Sequence, residues 1–508
     1  MLLKFKWLAL FAFIVACTTV KVPETSPGFA SEPHRPQFHF TPKANWMNDP
    51  NGMVFFNNKY HLFYQYYPDS TIWGPMHWGH ATSTDLVHWE HLPVALYPDS
   101  LGYIFSGSAV ADINNTSGFG KDGKIPLVAI FTHHDPVGEK AGKMDFQNQS
   151  IAYSLDEGNT WTKYAGNPVL KSPGIKDFRD PKVSWYEAGK KWIMTLAVQD
   201  HIEFFSSKDL KNWSKESELG KDFGAHGGVW ECPDLFPLDY NGQQVWILIA
   251  SINPGGPNGG SATQYFTGQF DGNKFTPYHT DTRWIDYGPD NYAGITWSNT
   301  GARKIFLGWM SNWNYANIVP TEKWRSATTI PRDLSIEKID DKYFVRSQPV
   351  PELNSAAGKP ISLENITANG YNVTSKTGKL AGPATLRFKG DKLADLSIIF
   401  SNEAGEKVVA GYDRSSNSYF IDRSNAGKVN FEKGFAGRHT APRLSTAPGY
   451  DLTLVLDNSS LELFADSGLS VMTSIFFPNS NFSDIKLQSS DSLIIKSMQF
   501  NTLKSMYE

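Results

Sequence analysis

Three carboxylates sit in restrained settings along the chain. Asp49 lies in Trp46-Met47-Asn48-Asp49-Pro50-Asn51-Gly52, between two amides and just ahead of an apolar run. Asn48 and Asn51 offer side-chain hydrogen bonds, Pro50 fixes one backbone dihedral and Gly52 permits a bend, so the segment reads as a rigid turn aiming one acid. An isolated Asn-Asp-Pro is more often an Asx-turn whose aspartate caps its own backbone. Two further acids in kindred settings shift that weighting: Asp180 in Phe178-Arg179-Asp180-Pro181, and Glu231 in Val229-Trp230-Glu231-Cys232-Pro233-Asp234.

Hydrolysis of a glycosidic bond with retention requires two carboxyls about 5–5.5 Å apart, one ionised to attack the anomeric carbon and one protonated to donate to the leaving oxygen. Acids crowded together push one another's pKa values apart, and the one in the most apolar setting keeps its proton. Trp230 and Cys232 flank Glu231, which makes Glu231 the expected proton donor and Asp49 the expected nucleophile. Asp180, beside Arg179, is expected to stay ionised and to hold sugar hydroxyls as the ring gains positive charge. Taken singly, Arg179-Asp180 is more often a structural ion pair and Glu231 more often a surface acid.

The Trp46–Gly52 block, Phe105-Ser106-Gly107-Ser108, Arg179-Asp180-Pro181 and Glu231-Cys232-Pro233 together resemble glycoside hydrolase family 32, the β-fructofuranosidases, in order and rough spacing. The resemblance covers the chain from about His39 to the C-terminus. It implies the same roles: Asp49 as nucleophile, Asp180 as transition-state stabiliser, Glu231 as acid/base, with Cys232 tuning the acid/base environment. It also implies a fructose pocket lined by Asn48, Gln65, Trp73, Phe105, Ser106, Arg179 and Trp313. Amides and a guanidinium suit vicinal hydroxyls, and indole faces suit the apolar side of a sugar ring. Taken alone, Trp73 and Trp313 would be read as core.

The segment Trp309–Asn317, followed by Val319-Pro320-Thr321 and Trp324-Arg325-Ser326-Ala327, looks like the levanases and exo-inulinases of that family. The implied activity is a retaining β-fructosidase that removes terminal fructosyl units from levan, inulin, fructo-oligosaccharides and sucrose, with no cofactor. An endo-levanase, a fructosyltransferase and a surface carbohydrate-binding lipoprotein are the alternatives. His133-His134-Asp135, followed by Asp145, superficially offers metal ligands but lacks their ordered spacing, and reads as a solvated loop bordering the substrate site.

The elements that must hold these residues are strands. The 508 residues carry 14% aromatics, 42 Gly and 30 Pro, with short apolar runs broken by turn residues and little helical periodicity. The formal net charge of -4 is built from interspersed signs, which excludes a basic nucleic-acid-binding face. A Ser/Asp turn closed by Trp recurs at Ser83–Trp89, Ser154–Trp161 and Ser207–Trp213, with a looser echo at Phe270–Phe275, as propeller blades require. The resemblance supplies the number of blades, five. The class is therefore all-β: a propeller over 37–345, then a β-sandwich over 356–508, marked by runs such as Leu396–Phe400, Leu452–Leu456 and Leu461–Ala465.

The N-terminus reads as a targeting segment. Lys4 and Lys6 precede a short apolar core, and Ile14-Val15-Ala16-Cys17 resembles a bacterial lipobox whose cleavage leaves Cys17 as the lipidated first residue. Residues 18–36, rich in Pro, Ser, Thr and Glu, are expected to form a flexible tether from an outer-membrane, cell-surface or periplasmic anchor. Of two cysteines the lipobox claims one, so Cys232 stays unpaired.

Overall fold

Five sheets, antiparallel except for one short parallel pair, occupy the first two-thirds of the chain in the computed structural model, which describes residues 28–491 and 493–507. The first strands of the five sheets are Asn45–Phe56, Tyr103–Ala111, Phe178–Tyr186, Val229–Tyr240 and Tyr292–Thr296. Successive first strands lie against one another, and the fifth returns to the first, which closes a five-bladed propeller. The second strands are the most apolar: Leu127–His134 and Gln243–Asn253 are buried along most of their length between neighbouring blades.

The Ser/Asp turns have one job. In blades one to four each joins the third strand to the fourth, and its aspartate accepts backbone N–H groups: Asp85 from Val87 and His88, Asp156 from Thr160, Asp209 from Lys211 and Asn212, Asp271 from Asn273 and Lys274. The fifth blade turns instead through Asp340 and Asp341, both at positive φ.

The ring closes without a covalent bond. Asn45 and Trp46 pair in parallel with Trp324 and Arg325, and Ser298 exchanges backbone hydrogen bonds of 3.0 Å with Met53 and Phe55. Trp46 stacks on Trp313 at this seam, with ring centroids 5.9 Å apart.

A 3-10 turn over Pro351–Ala356 leads into two six-stranded sheets packed as a sandwich. The three apolar runs anticipated from sequence form strands Leu396–Ser401, Tyr450–Leu456 and Ser460–Ala465. The sandwich docks on the propeller through buried charge. Arg332 Nη1 lies 2.9 Å from Asp286, and its Nη2 also pairs with Glu462; Arg423 Nη1 lies 2.6 Å from Asp290. His39 sits between Asp457 and Glu462, 2.8 Å from each. Burial alone would push His39 down, but its hydrogen bonds to these two carboxylates hold it up at about 9.

One expectation needs correction. The tether cannot run to residue 36, because Arg35 is fully buried and donates to Thr41 Oγ1 at 2.9 Å and to the carbonyl of Pro42 at 2.6 Å. Its guanidinium also covers the Trp324 ring at 4.5 Å. Ordering follows from these paired polar atoms, which composition alone does not disclose. The leader, Cys17 and residues 18–27 lie outside the described residues.

Candidate active site

Each first strand carries a β-bulge near its start, where two residues face one on the neighbouring strand: Asn48-Asp49, Phe105-Ser106, Asp180-Pro181, Cys232-Pro233 and Ala293-Gly294. A bulge breaks the ladder locally and re-aims side chains. Proline, excluded from a central ladder, is tolerated there, which explains the Asp-Pro and Cys-Pro pairs. Asp180, Cys232 and Ala293 sit at φ of +63°, +46° and +52°. The bulges and the residues beside them turn Asp49, Ser106, Asp180, Glu231 and Tyr292, one from each blade, toward the same end of the ring.

These side chains form one connected network. Asp49 Oδ2 accepts from Ser106 Oγ at 2.7 Å, and Oδ1 accepts from Asn48 Nδ2 at 2.9 Å. The Cys232 thiol lies 3.5 Å from Asp49 Oδ2 and 3.7 Å from Asp180 Oδ2, and the Cys232 backbone N–H donates to Asp180 at 3.1 Å. Arg179 Nη2 donates to Glu231 Oε1 at 2.9 Å, and Nη1 donates to Asp177 at 2.6 Å. The Tyr292 hydroxyl donates to Glu231 Oε2.

Burial and then the charge of Glu231 raise Asp49 above the ordinary carboxylate range. Burial pushes Asp180 up, Arg179 pulls it down, and the charges of Glu231 and Asp49 push it up again, to about 7. Burial and the neighbouring carboxylates hold the Cys232 thiol far above its usual value, so it stays a neutral S–H between two acids.

Two parts of the electrostatic expectation are thereby corrected. Arg179 does not hold Asp180 firmly ionised: its nearest approach to that carboxyl is 3.9 Å, against 2.9 Å to Glu231. Nor does Trp230 make the setting of Glu231 apolar. Adjacent strand residues point to opposite faces, and the Trp230 indole is fully buried behind the strand against Phe266, while Glu231 meets polar donors.

A cavity of about 350 Å³ opens above the acids. Asn48, Gln65, Trp73, Phe105, Ser106, Arg179 and Trp313, all anticipated from sequence, line it together with Asp49, Asp180 and Glu231. The Trp73 backbone N–H donates to Asn317 Oδ1 at 2.9 Å, tying the first-blade loop to the fifth blade across the seam. The His133-His134-Asp135 segment borders the cavity as expected, but it is not a solvated loop. The two histidines end strand Leu127–His134 and are buried, while Asp135 caps a short helix, Pro136–Lys140. His134 stacks on Phe105 at 4.2 Å and lines the cavity.

Sequence reasoning missed Glu139, Gln147, Asp177 and Asn317 in the cavity wall, and Tyr292 behind it. Asp177, two residues from Arg179, was within reach of a local ion-pair argument. Tyr292 stands in no recognisable pattern. Among the described residues one group has metal-ligand types close together, His201, Glu203 and Glu218 on the third blade, but the Lys215 ammonium lies 2.6 Å and 2.7 Å from its two glutamates and supplies the positive charge there.

Two family patterns match end to end: the N-terminal domain of glycosyl hydrolases family 32 over residues 39–349 and the C-terminal domain of that family over 352–504. A levanase from Bacillus subtilis is 47% identical over 493 residues, covering 94% of this chain and 72% of the relative. An extracellular exo-inulinase from Aspergillus ficuum is 40% identical over 491 residues, covering 89% and 90%. Among solved structures, the exo-inulinase from Aspergillus awamori superposes with a TM-score of 0.86 at 35% identity, covering 94% of this chain and 99% of the other. A β-fructofuranosidase from Schwanniomyces occidentalis complexed with fructosyl-erythritol superposes with a TM-score of 0.85 at 32% identity over the same shares. A propeller with its acids at one mouth, followed by a docked sandwich and matched along both domains, belongs to glycosyl hydrolases family 32.

Proposed function

We propose that the chain is a retaining exo-β-fructosidase in which Asp49 attacks C2 of a terminal fructosyl unit and Glu231 protonates the leaving oxygen. It is a glycoside hydrolase that cleaves fructans, in keeping with its levanase, exo-inulinase and invertase relatives. The observation that carries the finer reading is a single cavity of about 350 Å³ into which Asp49, Asp180 and Glu231 all open. In the first displacement the C2–O bond breaks as the Asp49–C2 bond forms, and the proton of Glu231 passes to the leaving oxygen. In the second, Glu231 takes a proton from water, the hydroxide attacks C2, and Asp49 leaves as carboxylate. The charge of Glu231 is one cause of the raised Asp49, so the protonated Glu231 needed for the first step also leaves Asp49 freer to ionise. Asp180 and Arg179, held against the cavity floor and wall, are suited to bracket the hydroxyls of the reacting ring.

A time course of products from levan, inulin and sucrose, separated by chain length, tests this. Fructose alone from the first minutes is the expected result. A ladder of oligosaccharides would replace exo action by endo action, products longer than the substrate would mean transfer, and no product would favour a carbohydrate-binding protein.

The leader motif Ile14–Cys17 supports a bacterial lipoprotein held at the outer membrane, cell surface or periplasmic face. Labelled fatty acid should enter the native protein and not its Cys17→Ala variant.

A further inference from the structure

Glu139 stands on the five-residue helix Pro136–Lys140 of the second blade and lines the same cavity as Asp177 and Arg179. Its position is set by a chain of buried polar groups. The Phe178 backbone N–H donates to Gln147 Oε1 at 3.0 Å, so the amide nitrogen of Gln147 is the atom facing His134 Nδ1, at 3.3 Å. An amide nitrogen only donates, which makes Nδ1 the acceptor and leaves the ring proton on Nε2. His134 Nε2 in turn lies 3.1 Å from Glu139 Oε2. The imidazole cannot swing, being stacked on Phe105 with planes 5° apart, and burial keeps it neutral by lowering its pKa. One oxygen of Glu139 is thus occupied, while the side chain remains half exposed and lines the cavity. Asp135 fixes the helix by accepting from the Val137 N–H at 3.0 Å.

A surface glutamate has no need of a buried partner that is itself fixed by a buried amide and a ring stack. Arg179, on the same wall, contacts Glu231, the group that faces the leaving oxygen. We infer that Glu139 determines specificity on the leaving-group side, its free carboxylate oxygen accepting hydroxyl hydrogen bonds from the sugar next to the reacting fructosyl unit. The inference rests on the role of Glu231 given above. Gln147 and His134 are positioning residues that act through Glu139.

Two measurements separate this inference from the underlying reading. In the first, 1-kestose, an inulin-type trisaccharide, is titrated into Glu231→Gln protein with and without Glu139→Ala, and binding is followed by calorimetry. Loss of a charge-assisted hydrogen bond should raise Kd about tenfold; an unchanged Kd overturns the assignment whether or not the protein turns over. In the second, KM and kcat are measured on 1-kestose, 6-kestose and sucrose, which share the reacting fructosyl unit and differ in leaving group. Glu139→Ala should raise KM unequally across the three, with a smaller change in kcat, and His134→Phe, which keeps the stack on Phe105, should reproduce the same ranking. An equal effect on all three would place Glu139 against the reacting ring and overturn the proposal. Val137→Ala, on the exposed face of the same helix, is the control. Fructose release by the unsubstituted protein reports separately on the β-fructosidase reading.

Discussion

The active site and the domain junction both bury carboxylates against arginine, and they treat them in opposite ways. At the junction every acid meets a cation: Asp286 and Glu462 share Arg332, Asp290 takes Arg423, and Asp457 takes His39. In the cavity three acids and a thiol crowd around Arg179, whose charge is already divided between Glu231 and Asp177. The paired cluster leaves Asp457 and Glu462 below their ordinary carboxylate values despite burial, although burial outweighs Arg423 and raises Asp290, whereas both Asp49 and Asp180 of the crowded cluster are raised. Buried charge that is met by cations across the junction ties the two domains in one docking geometry. Buried charge left short of partners keeps protons in play near neutrality, which acid–base catalysis needs.

The contrast breaks most visibly in turnover. Asp49→Ala and Glu231→Ala should each lower kcat by roughly 10³-fold or more with the far-UV circular dichroism unchanged. Asp180→Asn should lower kcat by roughly 10²-fold with a smaller change in KM, since its contacts strengthen in the transition state. A pure rise in KM would remove it from that role. Arg332→Met should do the reverse, leaving kcat of the folded enzyme near normal while costing roughly 3–5 kcal/mol of unfolding free energy, because it leaves buried Asp286 without a cation and Glu462 with His39 alone. Denaturant titration followed by activity after refolding distinguishes the two.

Proton linkage sharpens the comparison further. His39 has a folded pKa of about 9, above its ordinary 6.5, so its stabilisation is fully present below about pH 6.5 and is lost as pH rises through 9. A His39→Gln variant should show a flatter dependence of Tm between pH 7 and 10. Asp180 has a folded pKa of about 7, above its ordinary 3.8. Its ionisation therefore opposes folding increasingly from about pH 4 to 7 and fully above that. Asp180→Asn should thus raise Tm at pH 8 by roughly 2 °C while abolishing most activity. Equal Tm values at pH 4 and 8 for the two proteins would sink this account of the crowded cluster.

The sequence disclosed what short range controls. The aspartates of the Ser/Asp turns bond their own backbone within a few residues, so the third hairpin of four blades could be seen in the chain. Proline beside an acid marked three of the five bulges, at Asp49, Asp180 and Cys232. The bulges at Ser106 and Ala293 carry no proline; Ser106 came only through resemblance, and the fifth, with Tyr292, was missed. What acts over long range was hidden. Arg332, Glu462 and Asp286 are separated by more than a hundred residues in part, and nothing local to any of them announces a buried partner. His134 and Glu139 were obscured differently: a His-His-Asp run looks polar, and only the structure reveals that it ends a buried strand. Trp230 misled because sequence adjacency was taken as spatial adjacency, which a strand's alternation forbids.

The non-covalent seam has a consequence for synthesis. Asp49 rides on the strand that pairs with Trp324 and Arg325, residues made long after it. A chain emerging from the ribosome thus holds its nucleophile early, without the wall that completes the pocket. Such pairings of distant segments form slowly, after the local hairpins. Competence therefore arrives as a single late event, when the last blade locks onto the first, and a truncated chain ending before Trp324 carries all three acids and no assembled catalyst.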